Sequence, residues 1–235
     1  MSNLTFISLA SSSKGNAYIV SDGETTLLLD CGLTIKELQK RLGYNLAGIT
    51  ACLVSHEHND HAKAVSQLLK RGVPVYMSEG TAMAHKEDMS LARLVKAGIS
   101  FEIGKFWIYP FNVFHNTAEP LGWLIHDKRT DETLLFAIDT ANMNVIAKNL
   151  DYIAIECNFQ SELLEDSYTP TLLTERIKKS HFELEKLITY LKKLDLSSVK
   201  KIWLMHLSSH HTNEMQILKR FSEEFPCINV EICPE

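Results

Sequence analysis

The amino-acid sequence predicts a mixed α/β fold in a single domain. Short segments rich in apolar and β-branched residues, separated by turn sequences such as SSSKGN and SDGE, alternate with amphipathic helical patterns. The 235 residues, 45% of them hydrophobic, are enough for one large core, so we expect residues 1–235 to form one domain. Two of the apolar segments also end in histidine, which points to a site at strand ends.

Each predicted element follows from its local pattern. Strands are expected where apolar residues run together, at 4–10, 17–20, 25–30, 49–54, 74–77, 133–140, 152–158, within 100–127 and in VKKIWLMH. Helices are expected at 34–42, 62–70 and 80–94. Two amphipathic helices close the chain, one with Leu184, Leu187, Ile188, Leu191 and Leu194 and the other with Leu218, Phe221 and Phe225. These stripes, like Trp107, Trp123 and Trp203, are expected in the core.

Charge and cysteine content limit which partners and which cellular compartment we expect for the protein. The formal net charge of −5 gives no global attraction for nucleic acid or anionic lipid, so any such partner must be held locally. Five scattered cysteines without CxxC spacing favour a reduced, cytoplasmic protein. No apolar run approaches the roughly 20 residues that span a bilayer, and MSNLTFISLASSS is interpreted as a strand rather than a signal peptide.

The expected site lies at the ends of strands. ITACLVSH and KKIWLMH are both apolar strands that end in histidine and precede polar residues and a helix. Sites in layered α/β folds collect beyond the carboxyl ends of strands, so the two ends are expected to face one pocket.

The segment HEHNDH is the strongest chemical signal. His56 and His58 are separated by one residue and can project to the same side of extended backbone, while Asp60 and His61 follow where a helix begins. A solvated polar loop is the alternative, but four ligand-type residues directly after a buried strand favour metal binding. Imidazole and carboxylate together suit zinc and related metals, whereas magnesium alone would favour more oxygen ligands.

Three further strand ends supply candidate ligands. His115 ends WIYPFNVFH, Asp139 ends LLFAID and His206 ends IWLMH. Each alone would be interpreted as a structural residue, but together they complete a set that suits two metal ions.

This pattern resembles the metallo-β-lactamase-fold hydrolases. The resemblance implies an αββα four-layer sandwich and two divalent ions, zinc or manganese. It also implies that Asp30 in LLLDCG supports the metal loop through hydrogen bonds. The implied ligands are His56, His58 and His115 for one ion, Asp60, His61 and His206 for the other, and Asp139 as the bridge.

Closer motifs resemble the WalJ/YycJ group, whose members include nucleases acting on DNA ends. SSSKGNAYIV, HEHNDH, AIECNF and HLSSHHTN carry this likeness, and AIECNF followed by SHFELEKL is similar to motifs of the tRNase Z enzymes. That second likeness implies that Glu156 and His181 help to protonate the leaving oxygen. Ser180, Phe182 and Glu183 depart from its usual glycine and small hydroxyl residue. The alternatives are a helix-capping role for His181 and a structural role for Glu156.

The implied reaction is metal-assisted phosphodiester hydrolysis. Two ions would lower the pKa of a water from about 15.7 towards about 7 and neutralise phosphate oxygens. Asp60 would orient the water, and His181 would donate a proton to the departing oxygen. The substrate is expected to be nucleic acid or a nucleotide, with no membrane partner and with oligomerisation left open.

Three functions remain open at this point: a DNA exonuclease-like nuclease, a phosphodiesterase for small cyclic nucleotides of the kind phages use against immune signals, and a non-enzymatic binding module. A lactamase or thioester hydrolase also fits the fold, since fold alone does not settle function. The basic residues between Arg176 and Lys201, and His210 and His211, are expected to be solvated.

Overall fold

Parallel strands with polar residues at their carboxyl ends recur along the chain in the computed structural model. The structure describes residues 3–85 and 89–235. The chain falls into two units. Unit 1 runs to Asn112 and adds Thr117–Glu132 and Pro234–Glu235, and unit 2 consists of Val113–Asn116 and Thr133–Cys233.

Unit 1 contains a six-stranded sheet in the order β1-β2-β3-β4-β5-β6. Its strands are β1 (Thr5–Ser12), β2 (Gly15–Ser21), β3 (Thr26–Leu29), β4 (Ala51–Leu53), β5 (Val75–Ser78) and β6 (Arg93–Val95). The first three strands are antiparallel neighbours, and β3 to β6 are parallel. The carboxyl ends of β3, β4 and β5 therefore meet at one edge.

Short helices and an antiparallel meander complete unit 1. The helices are α1 (Ile35–Arg41), α2 (Asn59–Ala62), α3 (Val65–Lys70) and α4 (Glu79–Ala84), with a 3₁₀ turn at Leu46–Gly48. The meander is β7 (Phe101–Ile103), β8 (Phe106–Asn112) and β9 (Leu121–Asp127). Thr34 caps α1 in a capping box with Glu37, which explains why the helix begins there.

The core of unit 1 gathers the apolar faces of the sheet and helices. Leu28, Cys52 and Val75 on the strands and Val65 and Leu68 on α3 are fully buried in one cluster. Burying a side chain of this size stabilises a fold by about 1.5–3 kcal/mol. This packing holds α3, and the segment that precedes it, against the sheet.

Unit 2 contains four parallel strands in the order β13-β12-β11-β10. They are β10 (Glu132–Ala137, which begins at the last residue of unit 1), β11 (Tyr152–Glu156), β12 (Lys201–Met205) and β13 (Asn229–Ile232). The helices are α5 (Ser161–Glu165), α6 (Thr171–Ser180), α7 (Leu184–Leu191) and α8 (Glu214–Glu224). Leu187 and Ile188 of α7 and Phe221 of α8 are buried, as their spacing predicts.

The structure corrects two of the predicted elements and adds three that were not predicted. The predicted helix at 80–94 is only α4 in its first part, and its end forms the strand β6; residues 86–88 lie outside the described part. Leu218 is 37% exposed, and Ile217 takes the buried position instead, because Ile217 shares one face of α8 with Phe221, four residues further on. The helices α5 and α6 and the edge strand β13 were not predicted.

Among residues 3–85 and 89–235, no helix combines the length and the apolar character that crossing a membrane would need.

Candidate active site

The HEHNDH segment lies at the carboxyl ends of β3 and β4 in unit 1. Leu29 of β3 pairs with Leu53 of β4, so the residues that follow both strands come out at the same edge. At this edge, the backbone N–H of Asp30 donates to the carbonyl of Leu53 at 2.9 Å. The chain after β4 then carries the histidines into α2.

Two pairs of ligand-type atoms converge in this segment. His56 Nε2 lies 3.1 Å from His58 Nδ1, and His61 Nε2 lies 3.6 Å from Asp60 Oδ2. A tetrahedral ion with ligands at about 2.0–2.1 Å separates neighbouring ligand atoms by about 3.3–3.4 Å. Both pairs are close to that spacing, so the donor set of unit 1 fits divalent metal ions of the zinc type.

Asp30 supports the HEHNDH segment through hydrogen bonds, as the resemblance implies. One carboxylate oxygen accepts the backbone N–H of Ser55 at 2.7 Å. The other accepts the hydroxyl of Ser55 at 2.9 Å and lies 2.7 Å from His61 Nδ1. A carboxylate on Nδ1 fixes the imidazole so that Nε2 is the nitrogen presented to a metal. Asp30 is fully buried, so these bonds are made without competition from water.

Asn16 is a site residue that the sequence reasoning missed. Its side-chain amide lies 3.0 Å from the carbonyl of Ser12, 3.3 Å from that of Asp60 and 3.1 Å from His61 Nε2. Tyr18 donates its hydroxyl to Asn16 Oδ1 at 3.1 Å and so orients the amide. The available signal was the motif SSSKGNAYIV itself, which brings the β1–β2 turn to the histidine segment.

Gly32 allows a close backbone approach. A Cβ at this position would lie 1.6 Å from the carbonyl oxygen of Asp60. The neighbouring Cys31 donates its N–H to the carbonyl of His61 at 2.7 Å. The loop after β3 and the start of α2 therefore pack backbone against backbone, which only glycine permits here.

A second cluster forms at the carboxyl ends of β10, β11 and β12 in unit 2. Asp139 follows β10, Glu156 ends β11 and His206 follows β12. The strands are parallel neighbours, so their ends meet at one edge. One ligand-type atom from each of Asp139, Glu156, His181 and His206 lies within 4.8 Å of all the others. The donor set of this cluster also fits a divalent ion.

Carboxylates surround His206 closely. Its Nδ1 lies 2.9 Å from Asp139 Oδ1 and 3.0 Å from Glu156 Oε1. Burial alone would lower the pKa of His206, but the two carboxylates raise it to about 10. Asn158 donates to the carbonyl of His206 at 2.8 Å and so holds the strand end in place. The two carboxylates therefore favour the protonated imidazole of His206.

His115 has the features of a neutral ligand. Its Nδ1 lies 2.8 Å from the carbonyl of Ser180, which makes Nδ1 the protonated nitrogen. Its Nε2 lies 3.4 Å from Asp139 Oδ2. Burial lowers the pKa of His115 despite the nearby Asp139. Ser180, where the tRNase Z pattern has glycine, thus orients this ring through its carbonyl.

His181 is the C-cap residue of α6, and its side chain contacts Glu156. Its backbone N–H bonds to the carbonyl of Ile177 at 3.0 Å, and its Nδ1 lies 2.6 Å from Glu156 Oε1. Burial favours the neutral imidazole, but Glu156 outweighs it and raises the pKa of His181. Glu183, at another departure from the tRNase Z pattern, caps α7 by accepting the N–H of Lys186 at 2.9 Å.

Backbone strain accompanies three of these residues. Asp30, Asp139 and His206 have φ values of 57°, 47° and 54°, in the left-handed region. Residues other than glycine adopt it at a cost of the order of 1 kcal/mol or more. Each stands directly after or one residue beyond a strand end, where the turn aims its side chain into a cluster. Such strain is typical of functional sites.

The solvated role predicted for His211 is wrong. His211 is buried, and its ring nitrogens lie 2.9 Å from Thr169 Oγ1 and 3.1 Å from Ser208 Oγ, so it ties the loop after β12 to the start of α6. His210 is exposed, as predicted.

The sequence-predicted site residues therefore gather in two sets. His56, His58, Asp60 and His61 come together in unit 1. His115, Asp139, Glu156, His181 and His206 come together in unit 2. The prediction that both sets ligate metal stays a prediction at this point.

Comparisons with known proteins agree with this chemistry. The family model described as the metallo-beta-lactamase superfamily matches residues 13–127. The exodeoxyribonuclease YycJ of Bacillus anthracis is 30% identical over 236 residues, which cover 93% of this chain and 87% of that protein. The exodeoxyribonuclease WalJ of Streptococcus pneumoniae is 28% identical over 220 residues, which cover 86% of this chain and 81% of that protein.

A solved structure shows the same fold. The metallo-beta-lactamase fold protein YhfI from Bacillus subtilis matches with a TM-score of 0.76 and 18% identity, covering 99% of this chain and 96% of that one. The fold class predicted from the sequence is thereby confirmed, as is the resemblance to the YycJ and WalJ proteins.

Proposed function

Because the chain belongs to the metallo-β-lactamase superfamily, in the group of the YycJ and WalJ exodeoxyribonucleases, we propose that it removes nucleotides from the ends of DNA strands. The fold and the named relatives make it a metal-dependent hydrolase of the nuclease and phosphodiesterase class. The observation that carries the proposal is 30% identity to an exodeoxyribonuclease over 93% of the chain. The intact donor chemistry of both clusters supports it.

The ligands we propose follow the metal-binding pattern of the family. His56, His58 and His115 would hold one divalent ion, Asp60, His61 and His206 would hold the other, and Asp139 would contribute its carboxylate to both. Zinc and manganese both suit such nitrogen and oxygen donors. Bound there, such ions would supply positive charge that neutralises phosphate oxygens and lowers the pKa of water.

The chain's own residues orient the reacting groups. Asp30 fixes the imidazole of His61 at Nδ1, and the amide of Asn16, which lies 3.1 Å from Nε2, would give up that contact to a bound ion. Asp60, through its carboxylate, orients the attacking water and accepts its proton. Glu156 holds the ring of His181 at Nδ1, so that Nε2 donates a proton to the departing oxygen of the DNA strand.

The free cysteines agree with the expected compartment. All five are free, and four of them are buried. We propose that the protein acts in the reducing cytoplasm, where thiols of this kind persist. Its substrate there is nucleic acid, as the names of YycJ and WalJ suggest.

A panel of substrates tests the proposal. Purified protein with manganese or zinc is offered end-labelled single-stranded DNA, duplex DNA, RNA, cyclic mononucleotides and a chromogenic lactam. We expect stepwise shortening of a DNA substrate from one end. Turnover of cyclic nucleotides without cleavage of any polymer would replace the nuclease with the small-nucleotide phosphodiesterase. A His58→Ala variant, treated in parallel, excludes a contaminating nuclease.

A further inference from the structure

A cleft beside α7 is lined by two lysines that the described residues leave without a carboxylate partner. It encloses about 490 Å³ and lies in unit 2, with Lys186 and Lys193 on one side and Asn142 on the other. Both lysines are exposed. In residues 3–85 and 89–235, neither of them is within ion-pairing distance of a carboxylate.

The neighbouring lysines behave differently. Lys178, Lys179, Lys192, Lys200, Lys201 and Lys219 all pair with a carboxylate. The predicted solvated role therefore fits Lys178, Lys179, Lys192, Lys200 and Lys201, since their charges are balanced on the surface. Lys186 and Lys193 differ because both line the same cleft and have no such partner.

Both acidic residues that line the cleft accept hydrogen bonds from other groups of the protein. Glu185 is held by Arg220, whose Nε and Nη2 lie 2.8 and 3.0 Å from its two carboxylate oxygens. Glu183 is buried and caps α7 by accepting the N–H of Lys186. Glu183 keeps its charge but is buried, so the exposed charge that the described residues leave unpaired on this side of the cleft is that of Lys186 and Lys193.

The walls of the cleft continue directly from the catalytic cluster of unit 2. One wall, Ala141 and Asn142, follows Asp139 by two and three residues, and the hydroxyl of Thr140 donates to the carbonyl of Asn142 at 2.5 Å. The other wall begins at Glu183, two residues after His181. Because three residues span at most about 11 Å, both walls lie within that distance of the cluster.

Resting on the proposed function, we infer that this cleft binds the phosphodiester backbone of the substrate strand beyond the scissile bond. Lys186 lies in α7, and Lys193 lies in the turn two residues beyond the end of this helix at Leu191. The segment from Lys186 to Leu191 alone spans about 7.5 Å along the helix axis. At about 3.4 Å per nucleotide along a strand, the two ammonium groups contact different phosphates. Asn142 and Thr189 offer hydrogen bonds on the same path.

The test measures binding separately from hydrolysis. A double variant, Lys186→Gln with Lys193→Gln, is compared with the control Lys179→Gln with Lys219→Gln, which removes the same charge from two ion-paired surface lysines. Binding of a fluorescein-labelled single-stranded DNA oligonucleotide is followed by anisotropy in EDTA across a salt series. We expect Kd to weaken by roughly tenfold at low salt and the salt slope to fall by about 1.4, or about 0.7 per lost phosphate contact.

The hydrolysis assays separate the inference from the function on which it rests. With metal added, kcat/KM for the oligonucleotide falls more than kcat/KM for bis(p-nitrophenyl) phosphate, which has a single phosphate. Equal losses in the test and control variants, an unchanged salt slope or no oligonucleotide binding by the wild type would overturn the inference. Oligonucleotide binding that depends on these lysines, without hydrolysis of any diester, would instead support the cleft and refute the proposed function.

Discussion

Glu156 Oε1 lies 2.6 Å from His181 Nδ1, and the same oxygen lies 3.0 Å from His206 Nδ1. The other carboxylate oxygen accepts the backbone N–H groups of Thr140 at 2.9 Å and Phe182 at 3.1 Å. Burial alone would raise the pKa of Glu156, but the two imidazoles hold it below its ordinary value. Glu156 is therefore a charged, fully buried positioning residue that links the ends of β10, β11 and β12 to the start of α7.

The first prediction concerns proton donation by His181. Replacing it with alanine should lower kcat on an oligodeoxynucleotide by about 10²–10⁴-fold, because the departing alkoxide needs a proton. The loss should be much smaller for bis(p-nitrophenyl) phosphate, because p-nitrophenolate leaves without one. The exposed His210→Ala variant serves as the control. Equal losses on both substrates would show that His181 does not act as the proton donor.

The second prediction concerns metal ligation in unit 1. His58→Ala and Asp60→Ala should each abolish turnover and lower the metal content measured by mass spectrometry. His58 and Asp60 are only partly buried, so the unfolding midpoint of the metal-free protein should change little. Glu57→Gln is the control. Glu57 directly precedes His58, and its carboxylate accepts the N–H of Ala118 at 2.9 Å. The Glu57→Gln variant should keep metal binding. Full activity in both alanine variants would remove this segment from the mechanism.

The sequence predicts the elements that carry the chemistry because strand ends leave a clear signature. Apolar runs stopped by His56 and His206 predicted β4 and β12, and both histidines lie at the edges where parallel strands end. Asp30 likewise takes its expected hydrogen-bonding place because LLLDCG is a local motif.

Other features depend on contacts that no local pattern reveals. Asn16 reaches His61 across 45 positions of the chain. The helix α6 lacks an apolar stripe, since Leu172 and Leu173 are exposed. It therefore has no pattern that would predict it.

The third prediction uses the cysteines as probes of packing. Cys157 is fully buried, and this burial raises the pKa of its thiol. Burial also raises the pKa of Cys52. Since the thiolate is the reactive form, Ellman's reagent at pH 8 should modify Cys227 rapidly, because it is the exposed cysteine, and the buried thiols only after unfolding. A Cys227→Ser variant should lose the rapid phase, and its persistence would contradict the described packing.

The fourth prediction concerns the close approach at Gly32. Alanine there would place a methyl group 1.6 Å from the carbonyl oxygen of Asp60, so the backbone of one segment must move. We expect a loss of about 1–3 kcal/mol in the free energy of unfolding, measured by urea denaturation, together with weaker metal binding. Gly48→Ala is the control, because its Cβ meets only the flexible side chain of Asn45. Equal, small effects of the two substitutions would contradict the packing of Gly32 against α2.

The last prediction separates metal affinity from stability at Asp30. Asp30→Asn keeps a residue that tolerates the left-handed backbone at φ 57° but removes the charge facing His61. We expect metal affinity to fall by about 10–100-fold, because the imidazole loses the carboxylate that fixes its protonated nitrogen. Asp30→Ala should in addition lower the free energy of unfolding by about 2–4 kcal/mol, since the buried N–H and hydroxyl of Ser55 lose their acceptor.

Titration with a competing chelator and urea denaturation of the metal-free protein measure the two effects separately. Asp195→Asn, which changes an exposed carboxylate that accepts from the N–H and the hydroxyl of Ser197, is the matched control. If Asp30→Asn bound metal as tightly as the wild type, the bond to His61 would serve folding rather than ligation. The left-handed turn at Asp30 would then be a feature of the sheet edge alone.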